Sequence, residues 1–177
     1  MGNMMLGRSG LRLACALAAA LFAYPSIGTP PAAARETVAA TGYGAGTIVI
    51  RTNERRLYLY LGDGHALRYP VGVGRAGMQW AGTSYIDGKY RNPAWSPPAM
   101  MKREKPSMPD VIPGGSPQNP MGVAAMTLHG GEYVIHGTNQ PSSIGGFVSH
   151  GCIRMYNQDI TDLYERVSYF TTVVVTH

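Results

Sequence analysis

Eight of the chain's 13 prolines fall between residues 87 and 120. No long helix can run through such a stretch, because each proline removes a backbone donor and clashes with the preceding turn. Trp95-Ser-Pro-Pro98 and Pro113-Gly-Gly-Ser-Pro117 lie within it, so the segment reads as irregular. An unstructured run of this length inside a compact domain is either disordered or a functional lid. Tyr90, Trp95, Met100 and Met101 favour the lid, since a freely solvated tail has little use for them. The 23 glycines carry the argument to the rest of the chain, towards turns and strands and away from a helical bundle. With 45% apolar and only 14% charged residues, the chain can bury a core.

The flanking segments supply the strands. Thr47-Ile-Val-Ile50, Arg56-Leu-Tyr-Leu-Tyr-Leu61 and Ala66 to Val73 are β-branched or aromatic runs, with the turn Gly62-Asp63-Gly64 between the last two. Ala124 to Leu128 and Tyr133-Val-Ile135 flank a Gly130-Gly131 turn, and Phe170 to Thr176 closes the chain. Asn157 can cap a helix in which Ile160, Leu163 and Val167 recur at helical spacing. These runs are hairpin-like, with no regular strand–helix alternation, and predict a mainly β domain with one short C-terminal helix. Residues 35–46 are small, Gly-rich and aperiodic, and read as a linker.

The amino terminus has the pattern of an export signal, over residues 1–34. Arg8 and Arg12 supply a positive region, Leu11 to Phe22 form an Ala/Leu-rich run, and Pro25, Gly28 and the small residues Ala32-Ala33-Ala34 follow. The run is short for a bilayer span, which disfavours an uncleaved anchor. Cys15 lies inside the run, an unsuitable place for lipoprotein processing. Cleavage after Ala34 would remove two of 15 basic residues and none of the 10 acids, leaving a net charge of +3. The remaining basic residues form no dense run of the kind that tracks nucleic acid, so that partner is discounted. Cleavage would also leave Cys152 as a single thiol in an oxidising compartment, where an unpaired cysteine calls for an explanation.

The candidate chemistry lies in Ile135-His136-Gly137-Thr138 and Ser149-His150-Gly151-Cys152-Ile153-Arg154-Met155. A cysteine nucleophile needs an imidazole in reach to take its proton. His136, 16 residues upstream, and His150, two upstream, are both candidates. The amides of Gly151 and Cys152 could together form an oxyanion hole. A buried structural cysteine is one alternative. A zinc site from His129, His136, His150 and Cys152 is another, but the spacings lack the tight pairs that such sites favour, and no metal or other cofactor is expected. Val71-Gly-Val-Gly-Arg75 lacks the Lys and Ser/Thr of a phosphate loop and reads as a strand edge or turn.

The pattern His136-Gly-Thr followed by Ser149-His-Gly-Cys-Ile-Arg-Met155 resembles the signature of YkuD-type L,D-transpeptidases, exported bacterial cell-wall enzymes. Leu57-Tyr58-Leu-Tyr60, Tyr69-Pro-Val-Gly-Val-Gly74, Trp80-Ala-Gly-Thr83, Pro93-Ala-Trp-Ser-Pro-Pro98 and Asn119-Pro-Met-Gly122 resemble family segments in the same order, so the likeness covers roughly residues 46 to 176. It implies a β-sandwich or barrel of mixed sheets over residues 47–177. Within it, Cys152 would be the nucleophile and His136 the base and acid. Gly137 would orient His136, and Ser149, His150 and Gly151 would support the loop. Arg154 would hold a substrate carboxylate, although some members carry Asn there, and Trp95 would line the substrate site. The implied location is the periplasm or cell envelope, with no membrane span left after signal cleavage. The implied partners are peptidoglycan stem peptides, with another stem or an envelope protein as amine acceptor. A hydrolase using the same site and a non-catalytic wall-binding protein are the competing classes.

Overall fold

The computed structural model describes Met1, Gly2, residues 35–131 and residues 133–177. Residues 3–34, which hold nearly all of the expected export signal and Cys15, lie outside the described residues. Every element below belongs to the unit that begins at Pro31. No helix among the described residues is long and apolar enough to cross a membrane.

The chain folds as a mainly β domain with mixed sheets. Its strands are β1 (Glu36–Ala39), β2 (Ile48–Arg51), β3 (Arg56–Tyr60), β4 (His65–Pro70), β5 (Val73–Gly74), β6 (Gly82–Arg91), β7 (Ala124–Leu128), β8 (Val134–His136), β9 (Phe147–Ser149), β10 (Ile153–Arg154) and β11 (Thr172–Thr176). Nine of them form one ladder in the order β1-β4-β3-β2-β11-β6-β7-β8-β10, and β5 pairs with β9. The hairpins read from sequence are present as antiparallel pairs β2–β3, β3–β4 and β7–β8. Three parallel pairs, β2–β11, β8–β10 and β5–β9, have no local sequence signal because their partners are distant in the chain.

Strand β6 joins the two halves of the ladder. Gly82 to Tyr85 pair with β11, whereas Ile86 to Arg91 pair with β7, and the register shifts between Ile86 and Gly88. A Cβ at Gly88 would lie 2.4 Å from Thr127 Oγ1 and 2.7 Å from the Tyr90 ring, so this irregularity admits only glycine without repacking. The extension of β6 to Arg91 takes it into the proline-rich segment, which was expected to be irregular from residue 87.

Alternation along the hairpins builds two cores. Ile48, Ile50, Leu57 and Leu59 face one way, towards Tyr69, Met126, Leu128, Ile135, Ile153, Met155, Ile160 and Leu163. Val49, Tyr58, Tyr60 and Ala66 face the other way and are covered by Val38 and Ala40. The covering residues correct the linker reading of 35–46. Glu36 to Ala39 pair along the whole of their length with Arg68 to His65, and Arg68 bonds Glu36 across the edge. Four residues are too few to show a strand periodicity against a glycine-rich background, but the tyrosine face that they bury is long enough to hold them.

Among the described residues there are two α-helices, not one. Helix α1 (Ala99–Glu104) lies inside the proline-rich segment. Its six residues contain neither Pro nor Gly and are good helix formers, and Pro98 stands immediately before them. Helix α2 (Asn157–Arg166) lies where expected, but Tyr156 occupies the cap position and Asn157 is its first residue. The opposite end of α2 is closed by a residue from β6. Lys89 Nζ donates to the carbonyls of Tyr164 (2.7 Å) and Val167 (2.5 Å), with its charge over the Tyr164 ring. Lys89→Met keeps the stem and removes both donors, and it should cost about 2 kcal/mol in urea unfolding. An unchanged midpoint would show that solvent serves those carbonyls equally well.

Candidate active site

Strands β8 and β10 lie side by side in parallel, with Ile153 opposite Ile135 and Arg154 opposite His136. Ile135 and Ile153 point into the core, so His136 and Arg154 project to the other face. Cys152 stands two positions before Arg154 and lines the same cavity as His136 and Arg154. A strand spacing of about 4.8 Å and a rise of about 3.3 Å per residue place the Cα atoms of Cys152 and His136 about 8 Å apart. At that separation their side chains can converge. Residue spacing alone left both His136 and His150 open as partners of Cys152, the resemblance implied His136, and this register favours His136.

The turn carrying Cys152 is built by Ser149 and Gly151. Ser149 is buried; its hydroxyl donates to Cys152 O (2.6 Å) and accepts from Gly151 N (3.0 Å). Gly151 has φ +117°, and a Cβ there would come within 2.5 Å of the Tyr133 ring, so both backbone and space require glycine. Trp80 Nε1 donates to Gly151 O (3.2 Å), while Arg75 N donates to Ser149 O (2.9 Å). Gly72 and Arg154 exchange backbone hydrogen bonds of 2.9 Å in both directions. One sequence expectation fails here. The Gly151 amide is committed to Ser149 and does not join the Cys152 amide in an oxyanion pair.

His136 is 4% exposed, and its Nδ1 lies 2.6 Å from Gly137 O. The carbonyl can only accept, so Nδ1 carries the proton and Nε2 is left unprotonated in the neutral ring. Burial depresses the imidazole to about 4, assisted by the Arg154 charge and partly opposed by the carbonyls of Gly137 and Pro120. Burial raises the Cys152 thiol, against the opposing pull of the Val134 amide and Arg154. Burial likewise lowers Arg154, whose Nε is buried without a protein partner. Both shifts favour a neutral thiol beside a neutral imidazole at rest, rather than the preformed ion pair that the residue types alone would allow.

Asn157, read from sequence as a helix cap, does something else. Its Oδ1 accepts from Thr138 N (3.0 Å). A Cβ at Gly137 or Gly122 would lie 2.3 or 2.2 Å from that oxygen, so both glycines make room for it. Asn157 thus holds the backbone immediately after His136. Neither its helix position nor its polarity gave this away, since the contact depends on tertiary packing.

The proline-rich segment forms one wall of the cavity, which measures about 520 Å³; Trp95, Pro98, Met100, Met101, Pro120 and Met121 line it opposite Cys152. The segment is ordered by reciprocal backbone bonds between Trp95 and Ile112 and by Asn119, which is buried and donates to the carbonyls of Pro93 and Pro113. Glu104, at the end of α1, lies 3.4 Å from His150 Nε2 and 3.2 Å from an Arg75 nitrogen, tying the wall to the cysteine turn. His150 faces Glu104 across that wall. His129 sits apart on the β7–β8 turn, stacked on Tyr85 at 4.5 Å. Val73 and Gly74 pair with β9, which bears out the strand reading of the glycine run.

Residues 45–175 match the model of the YkuD L,D-transpeptidase catalytic domain. The chain belongs to this family. The protein named Probable L,D-transpeptidase YbiS of Escherichia coli (strain K12) is 41% identical over 135 residues, covering 71% of this chain and 43% of that protein. Probable L,D-transpeptidase ErfK/SrfK of the same strain is 39% identical over 137 residues, covering 72% of this chain and 43% of that protein. The chain thus spans less than half the length of these curated relatives. Among solved structures, the L,D-transpeptidase from Mycobacterium smegmatis superposes with a TM-score of 0.59 at 18% identity, covering 74% of this chain and 58% of that one, a likeness of fold. A Brucella melitensis chain titled a probable carnitine operon oxidoreductase superposes with a TM-score of 0.56 at 39% identity, covering 78% of this chain and 91% of that one.

The buried histidine of this family domain has a consequence for acid stability. Below about pH 6.5 the unfolded chain protonates this ring, while the folded protein refuses the proton until about pH 4. Stability is therefore lost on acidification across that window. The wild type should lose up to about 3 kcal/mol relative to His136→Gln, whose side chain does not titrate. Urea unfolding of both proteins at pH 4.5 and 7 measures the difference. A constant gap would mean that the ring is accessible to protons in the fold.

Proposed function

We propose that this chain is an exported L,D-transpeptidase acting on peptidoglycan stem peptides through a Cys152 thioester. The reading is carried by the parallel register that brings His136, Cys152 and Arg154 onto one cavity. Family membership supplies the reaction class, and the resemblance supplies the bond, between an L-centre and the terminal D-residue of a tetrapeptide stem.

Cys152 Sγ attacks the carbonyl carbon as its proton passes to His136 Nε2, the nitrogen left bare by the Nδ1–Gly137 contact. Because the thiol and imidazole rest neutral, proton transfer accompanies attack. Charge develops on the carbonyl oxygen, and the Cys152 amide is the member of the expected pair left to stabilise it. Collapse breaks the C–N bond, and His136 returns the proton to the departing amine, leaving a thioester. An acceptor amine then attacks the thioester, His136 removes its proton, and the thiol is regenerated. Arg154, with an unpartnered buried Nε, is suited to hold a substrate carboxylate, which would offset the cost of burying its charge. Trp95 and the two methionines of α1 offer apolar surface to the stem. The acceptor is an amine of a second stem or of an envelope protein, and the reaction takes place in the periplasm or cell envelope after export.

Intact-mass measurement after incubation with a carbapenem tests the nucleophile. Wild type should gain one adduct and Cys152→Ala none; an adduct surviving on the variant would move the nucleophile elsewhere. His136→Ala should fold and acylate at least about 100-fold more slowly. If His150→Ala were the slow variant instead, the two histidines would exchange roles. Muropeptide analysis with and without added amine should show amine-dependent products, whereas release of free acid alone would make the enzyme a hydrolase.

A further inference from the structure

A second trough, of about 480 Å³, opens beside the cysteine turn, and Tyr133 lines both it and the Cys152 cavity. Its walls are aromatic. Trp80 and Tyr133 stack with centroids 4.5 Å apart and planes 8° from parallel, and Tyr85 and His129 stack at 4.5 Å and 12°. Phe170 extends the row, 5.7 Å from Tyr85. The described residues lining the trough include no Asp, Glu, Lys or Arg, and Thr83 and Ser84 add hydroxyls. Phe170 is 76% exposed and has φ +65°. A bulky residue in the left-handed region is a backbone outlier, and here the strain holds an aromatic ring in solvent where the core gains nothing from it.

We infer that this trough binds the neutral N-acetylated sugar to which the stem peptide is attached. The inference rests on the proposed reaction and assigns the part of the substrate which that site leaves uncovered. Sugar rings present an apolar C–H face that packs on aromatic planes and a rim of hydroxyl and acetamide groups that hydrogen-bond at the edges. Aromatic planes edged with hydroxyls match that chemistry. The distances agree. In a tetrapeptide stem the reacting carbonyl belongs to the third residue, so the amino end of the stem, through which the sugar is joined, lies at most about 11 Å away. Trp80 is anchored to the cysteine turn, and five residues of extended chain carry the row to Tyr85 within about 17 Å. A sugar tethered to the reacting carbonyl falls between these two ends.

The test compares turnover efficiency on a disaccharide-tetrapeptide and on the same tetrapeptide without sugar, in wild type, Phe170→Gly and His129→Ala. Glycine accepts the backbone angle at 170, and His129 is exposed, so both variants should fold and should react with a carbapenem at the wild-type rate. Wild type should prefer the sugar-bearing donor, and each variant should lose about three- to tenfold of that preference while keeping its rate on the bare peptide. No preference in wild type, preference retained in the variants, or equal losses on both donors would overturn the inference. So would variants impaired only towards a protein acceptor, which would make the trough a protein-docking surface. If neither donor turns over, the proposed reaction fails separately. Titration of an N-acetylglucosamine oligomer, followed by tryptophan fluorescence in a Trp95→Phe background that leaves Trp80 as the emitter, then decides: saturable binding weakened in Phe170→Gly supports the site, and its absence overturns it.

Discussion

The site depends on a ladder only two residues long. Ile135 opposite Ile153 and His136 opposite Arg154 are the whole of the β8–β10 pairing, yet they set the distance between His136 and Cys152. Two rungs would not hold alone. The core side chains of both isoleucines are fully buried, Met155 N donates to His136 O at 2.8 Å, and Gly72 clamps the far edge of Arg154. The strained turn at Gly151 can then be tolerated, because the chain on its C-terminal side is fixed by packing and the chain before it by β5 and Arg75. Ser149 closes the remaining gap with one hydroxyl used twice. The position of the thiol follows from sheet packing, and the loop between the two strands has little freedom to alter it.

Burial of the same ladder sets the electrostatics. A solvated imidazole would stand near its ordinary value and share its time between protonated and neutral forms around pH 6.5. In this fold the ring is enclosed, its tautomer is chosen by Gly137 O, and Arg154 adds a like-charge penalty to protonation. The arginine acts in opposite senses on its two neighbours: it disfavours the imidazolium and favours the thiolate. A substrate carboxylate on Arg154 would neutralise both influences, making His136 easier to protonate as the thiol proton arrives. In the proposed reaction the site would thus hold its base unprotonated until substrate changed the field around it.

The residues that the fold gathers at the candidate site were legible in the sequence. His136, Cys152 and the glycine between Cys152 and His150 stand out by residue type, and the hairpin strands show in their alternation. What escaped was set by distant partners. The parallel pairs leave no turn signature, β1 is a strand only because a tyrosine face needs cover, and α1 is a six-residue window without proline in a stretch where proline dominates. Asn157 misled for the same reason. Its type fits a helix cap, but its carbonyl oxygen is spent on Thr138, and two glycines are shaped around that contact. Composition likewise suggested two cooperating amides at the cysteine, whereas only the folded turn reveals that Ser149 has taken one of them.

The two hollows beside the cysteine turn differ in a way that follows from which strands border them. The cavity over Cys152 is walled by the proline-rich segment and carries Arg154 and His150, so it can discriminate by charge. The trough is bordered by the start of β6 and the β7–β8 turn and presents ring faces and hydroxyls. Trp80 and Tyr133 stand between them, and the same pair fixes Gly151: Trp80 bonds its carbonyl, and Tyr133 occupies the space a Cβ would need. The two hollows therefore share the Tyr133 ring as a common wall, and the glycine before Cys152 is confined by that ring and by Trp80 together.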